Sequence, residues 1–186
     1  MALIESYRFS CTTMVEVFCV GSAIDIRAMV MLTSLVSKAN IIAFSIEYRL
    51  FPEHPLPIAY NDSWTGLEWV ATHSNRLGSD PWLNDHADFG RVFLGGESVG
   101  ANIAYFVAVR AGSTIMGLAG LKLNSGTGRD DDPKLNPVVD VNLKSMVGDR
   151  VLVCVAEKDL IRDRGLAYYD ILLRVNGMVM WSFMRL

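Results

Sequence analysis

Arg91-Val92-Phe93-Leu94-Gly95-Gly96-Glu97-Ser98-Val99-Gly100-Ala101-Asn102-Ile103-Ala104 decides how the rest of the chain is read. It sets Gly96-x-Ser98-x-Gly100 between a short apolar, strand-like run and a helix-like run. In that context the pattern denotes a nucleophile elbow, a strand-to-helix turn so tight that its serine takes a strained backbone conformation. The flanking positions are glycine because a Cβ there would collide with the neighbouring strand or helix. The turn leaves the serine Oγ exposed at a helix N-terminus, where the dipole favours developing negative charge. A bare G-x-S-x-G carries little weight; the strand before it and the helix after it give it meaning.

The same alternation extends outward in both directions. Met14–Val20 reads as a short strand, and Gly21-Ser22 breaks it. Ile26, Met29, Val30, Leu32 and Val36 form one helical face, and Asn40 ends that helix. Ile41–Ile46 is a continuous apolar run, the signature of a buried parallel strand. Pro52, Pro55 and Pro57 then force an extended loop. Asn61 or Asp62 can cap the next helix, which buries Trp64, Leu67, Trp69 and Val70. Asn75–Asp88 reads as a polar loop around Gly78 and Pro81, and Val92–Leu94 as the strand entering the elbow.

After the elbow, Ala101–Ala111 is apolar enough to be buried on most sides, with Gly112 as its C′ residue. Gly117–Leu123 is a candidate strand and Ser125–Asp132 a linker. Arg150–Ala156 reads as a second buried strand. Gly165–Val175 is an amphipathic helix closed by Asn176-Gly177, and Met178–Leu186 a last strand. The class is α/β, with a mainly parallel sheet flanked by helices.

Bulk properties narrow the function. The 186 residues suffice for one domain, and a net charge of −3 suggests no nucleic-acid or anionic-membrane partner. No window approaches a membrane span, and Glu5, Arg8 and Glu16 interrupt any signal-peptide core. Cys11, Cys19 and Cys154 lack metal-site spacing and read as reduced core thiols, which fits a cytoplasmic location. The Asp130-Asp131-Asp132 run reads as a solvated loop, so neither a metal nor another cofactor is expected. Nine methionines and a positive mean hydropathy hint at apolar surface without its natural cover.

Several stretches together resemble plant carboxylesterases of the α/β-hydrolase fold, in the hormone-sensitive-lipase-like group. They are Glu47-Tyr48-Arg49-Leu50 with Pro52-Glu53-His54-Pro55-Leu56-Pro57; Trp82-Leu83 with Asp85 and Ala87-Asp88-Phe89; the elbow through Ala104; Asp132-Pro133 with Leu135-Asn136-Pro137; and Val151–Gly165. The resemblance runs from about Phe18 to about Gly177 and implies an α/β-hydrolase-like domain over residues 1–186. It implies Ser98 as nucleophile and, in Glu157-Lys158-Asp159-Leu160, Asp159 as the acid that orients a histidine. It implies no cofactor, and a small apolar or aromatic ester as the partner molecule.

Three departures stand out. Chain order demands a histidine after Asp159, yet His54, His73 and His86 all precede Ser98 and each reads as structural. The family carries His-Gly-Gly-Gly where this chain has Met14-Val15-Glu16-Val17, so the backbone N–H of Val99 remains as an oxyanion donor. The segment near residues 124–132 is short. Together these point to a domain incomplete at its N-terminus, near 124–132 and at its C-terminus, as from a truncated or mis-spliced gene product.

Losing one oxyanion donor costs on the order of 10²–10³ in turnover. Losing the base costs about as much as losing the whole triad. The expectation is therefore an ester hydrolase of impaired activity. The alternatives are a 2-hydroxyisoflavanone-dehydratase-like enzyme, a non-catalytic gibberellin-receptor-like binder, and an inactive fragment.

Overall fold

Apolar runs and helical faces alternate along the chain as strand and helix. The computed structural model describes residues 13–20, 26–115, 136–148, 150–175 and 180–185. Two compact units contain them, Met1–Ala104 and Tyr105–Leu186.

In the first unit, β1 (Thr13–Val20) lies between β2 (Ile41–Glu47) and β3 (Ala87–Gly96), parallel to both. Helix α1 (Ile26–Ala39) links β1 to β2 and ends at Asn40, which takes φ 52° while its N–H donates to Val36 O at 3.0 Å. Asparagine tolerates that left-handed turn better than most residues. Of the apolar face anticipated on α1, Leu32 is buried but Ile26 and Val30 are 77% and 62% exposed. The core lies elsewhere: Ile42, Val70, Leu83 and Ala87 pack together, with Phe44, Leu67, Phe89 and Leu94 around them.

Helix α2 (Ile58–Ala71) begins earlier than the anticipated Asn61 or Asp62 cap, with Pro57 at its N-cap position. Asp62 is spent otherwise. Its carboxylate accepts from the backbone N–H, Nε and Nη2 of Arg49 at 3.0, 2.9 and 2.7 Å. Within α2, Val70 is buried as anticipated, whereas Trp69 remains partly exposed, with its ring against Phe44 and His73. The polar loop anticipated over 75–88 contains a short helix, α3 (Pro81–His86). Asp80 starts it by accepting from Leu83 N–H at 3.1 Å, and Pro81 supplies a preset first turn. Trp82 on α3 is an exposed ring near His86.

Helix α4 (Val99–Ile115) runs from the first unit into the second, and its residues Ile103–Val109 are buried. It passes through Gly112 without stopping, so that glycine is no helix cap. Gly112 is required instead by close approach: a Cβ there would sit 1.6 Å from the carbonyl oxygen of Ser145. The segment around Ser145 is further tied to α4 by Val147 N–H to Ala108 O at 3.2 Å and by Ser113 Oγ to Ser145 Oγ at 2.8 Å. Buried Tyr105 donates to buried Asp140 at 2.6 Å. Burial first, and then that bond, push the Tyr105 phenol far above its ordinary range.

The second unit also holds β4 (Arg150–Val155), α5 (Arg162–Val175) and β5 (Met180–Arg185), with β4 and β5 parallel. β4 alternates in burial and is not the fully buried strand anticipated: Val155 faces inward while Leu152 is 58% exposed. Cys154 is likewise an exposed thiol and not a core one. Every described strand pair is parallel, as the α/β class requires. The anticipated strand at Gly117–Leu123, the linker at Ser125–Asp132, the acidic run and Cys11 lie outside the described residues.

Candidate active site

β3 delivers the chain to Gly96, and α4 begins at Val99, so only Glu97 and Ser98 make the reversal. Space for it comes from Gly96. A Cβ there would lie 2.2 Å from Gly100 C and 2.3 Å from Gly100 O, both backbone atoms that cannot swing aside. Ser98 takes φ 56°, a left-handed conformation that costs a non-glycine residue about 1–3 kcal/mol. Hydrogen bonds close the turn around it. Gly100 N–H donates to Glu97 O at 2.8 Å, and the amides of Ala101 and Asn102 donate to Ser98 O at 3.1 and 3.3 Å. Ser98 itself is exposed. Among the described residues, the Val99 N–H donates to no protein acceptor. It sits beside the serine at the positive end of α4, where an oxyanion donor belongs.

Met14-Val15-Glu16-Val17, where a glycine loop was anticipated to be missing, forms the body of the central strand. Val15, Glu16 and Val17 register with Ile42, Ala43 and Phe44 on one side and with Val92, Phe93 and Leu94 on the other. Ladders on both flanks engage this backbone, so it supplies no donor loop. Glu16 therefore stands within a strand and not in a loop beside the site. Gly21 and Ser22 lie outside the described residues.

Asp159 follows the carboxyl end of β4 in the second unit, whereas Ser98 and Val99 belong to the first. The turn is held locally. Asp159 N–H donates to Ala156 O at 3.2 Å, Arg162 N–H donates to Asp159 O at 3.1 Å, and Ile161 N–H donates to Asp159 Oδ1 at 3.0 Å. The side chain is exposed, and among the described residues Oδ2 has no hydrogen-bond partner. Arg162 pairs with Asp163 at 3.0 Å on the surface, which contributes little.

The histidines have other settings. His73 is fully buried. Its Nε2 accepts from Asp80 N–H at 3.0 Å, which places the ring proton on Nδ1, 2.9 Å from Trp69 O. Gly78 packs where a Cβ would strike the ring. His86 is an exposed residue at the end of α3, and His54 lies in the proline loop. Among the described residues, no cluster of His, Cys, Asp and Glu could hold a metal ion. No described helix is long and apolar enough to cross a membrane.

One contact at the elbow was not anticipated from the sequence. Tyr60 Oη donates to Asn102 Oδ1 at 2.8 Å, joining α2 to the first turn of α4. Asn102 falls in the elbow stretch, but no sequence pattern pairs it with Tyr60, 42 positions earlier.

An exposed serine in a left-handed turn between a parallel strand and a helix defines a class, and comparison with known proteins agrees with it. A profile of the alpha/beta hydrolase fold matches residues 17–128. The chain belongs to that family. Within it, the resemblance to plant carboxylesterases is met by a probable carboxylesterase 13 of Arabidopsis thaliana, 34% identical, covering 88% of this chain and 63% of the relative. A 2-hydroxyisoflavanone dehydratase of Glycyrrhiza echinata is 36% identical over 82% of this chain and 60% of its own length. The chain thus spans about three fifths of the length of these curated relatives. Among solved structures, a thermostable esterase from Pseudomonas putida ECU1011 superposes with a TM-score of 0.72 at 22% identity, covering 96% of this chain and 65% of that one. At that identity the likeness speaks for the fold alone.

Proposed function

We propose that this chain is a serine-dependent carboxylic-ester hydrolase whose activity is reduced to a residual level. The observation that carries the proposal is the exposed Ser98 at φ 56°, with the Val99 amide beside it. In the reaction, Ser98 Oγ attacks the acyl carbonyl of a small apolar or aromatic ester. The Val99 N–H stabilises the oxyanion, the alcohol departs with a proton, and water then releases the acid and regenerates the serine. Asp159 would orient a histidine base through its exposed carboxylate. These 186 residues contain no histidine after Asp159, so within them the serine proton passes to solvent. Without a base, turnover falls to what the oxyanion donor and binding supply.

A fluorophosphonate probe tests the assignment. Slow labelling that maps to Ser98 and vanishes in Ser98→Ala is the expected result; a folded protein that never labels contradicts it. The dehydratase-like relative motivates a second reading, in which a 2-hydroxyisoflavanone loses water at the same site. Product analysis separates the two: carboxylic acid released from an aryl ester supports hydrolysis, and dehydration of the hydroxyisoflavanone supports the alternative.

A further inference from the structure

Gly96 gives the elbow room, but room does not hold a strained residue in place. A conformation such as that of Ser98 persists only where its surroundings over-determine it. Tyr60, in the first turn of α2 and only 4% exposed, reaches across to α4. Its hydroxyl donates to Asn102 Oδ1 at 2.8 Å, and the Asn102 amide donates to Ser98 O at 3.3 Å. Two hydrogen bonds in series thus run from a buried ring to the peptide of the nucleophile.

We infer that Tyr60 is a positioning residue for Ser98, acting through Asn102 to keep the first turn of α4 closed under the elbow. The inference rests on Ser98 as the nucleophile proposed above. Tyr60 touches no reacting atom; it limits how far the Ser98 peptide can rotate. Asp62 offers a control on the same helix turn, since its bonds run to Arg49 and not to α4.

The test uses the full chain with Tyr60→Phe, Asn102→Ala, their combination and the control Asp62→Asn. Two quantities are measured: the rate of fluorophosphonate labelling at Ser98, and hydrogen exchange of the Ala101 and Asn102 amides. Tyr60→Phe should slow labelling on the order of tenfold and speed exchange of both amides. Asn102→Ala should do the same, and the double variant should be no slower than Asn102→Ala alone, because one bond connects them. Asp62→Asn should lower the melting temperature and leave both readouts at the wild-type value. Wild-type labelling and exchange in Tyr60→Phe would overturn the inference. If the wild type itself does not label, the nucleophile assignment fails separately and exchange decides: faster exchange in Tyr60→Phe but not in Asp62→Asn supports positioning, and unchanged exchange refutes it.

Discussion

Ser98 and Asp159 both follow the carboxyl end of a parallel strand, yet their surroundings are built differently. The elbow is held by backbone contact at Gly96, by three amide bonds around Glu97 and Ser98, and by a buried tyrosine from another helix. The acid turn is held by local bonds, from Asp159 to Ala156, Ile161 and Arg162, from Arg162 to Glu157 O and from Arg164 and Gly165 to Ile161 O, and residues 156–161 are all exposed. Presenting a nucleophile is a property of backbone and packing that the fold itself requires. Orienting a base requires a second side chain, and an exposed turn folds equally well without one. The contrast explains how the Ser98 turn can be tightly built while the Asp159 turn is held only by local bonds.

Glycine replacements test this contrast most strongly. Gly96→Ala sets a Cβ against backbone atoms of Gly100 at 2.2 Å, and should cost about 3 kcal/mol or more in urea unfolding. Gly165→Ala, in the helix after the acid turn, meets only a Val155 methyl at 2.9 Å. There the helix gains about 1 kcal/mol from losing a glycine, which offsets the shift of that methyl, and stability should stay within about 1 kcal/mol of wild type. Equal losses at both sites would show that the two turns are not differently constrained. A smaller effect should follow Tyr105→Phe, which removes a donor from the buried Asp140 carboxylate but leaves its bonds to Asn142 at 2.9 and 3.2 Å. A loss of about 2 kcal/mol is expected by the same measurement.

The class, most elements and the elbow were legible in the sequence because each is a local pattern. Apolar runs gave strands, Asn40 gave a helix end, and Gly-x-Ser-x-Gly gave the turn. What escaped depends on partners distant in sequence. Asp62 looks like a helix cap until Arg49 is seen to claim it. Gly112 looks like a helix stop until the Ser145 carbonyl is found where its Cβ would be. The Asp80-Pro81 start of α3 was a local signal hidden in a polar stretch. The missing glycine motif and a strand over Met14–Val20 were both visible, but not that this strand would lie between β2 and β3.

The clasp on α2 should give the smallest effect, and a pH-dependent one. The hydrogen bond from Arg49 holds the Asp62 carboxyl below its ordinary range. A lowered folded pKa means that the unfolded chain takes up the proton first as pH falls. The stabilisation is therefore present above the ordinary carboxylate pKa of 3.8 and lost as pH drops through the folded value. Asp62→Asn should flatten that acid limb in a series of thermal melts while leaving the profile above pH 6 parallel to wild type. An unchanged acid limb would show that the clasp does not contribute.

On the proposed reading, Ser98 reacts without help from Asp159. Fluorophosphonate labelling of wild type, Ser98→Ala and Asp159→Asn, followed side by side with the labelled peptide identified by mass, tests it most directly. Slow modification at Ser98, none in Ser98→Ala, and a rate in Asp159→Asn within about twofold of wild type are expected, since no histidine follows Asp159 within these 186 residues. A rate that collapses in Asp159→Asn, or a folded wild type that never labels, would contradict it.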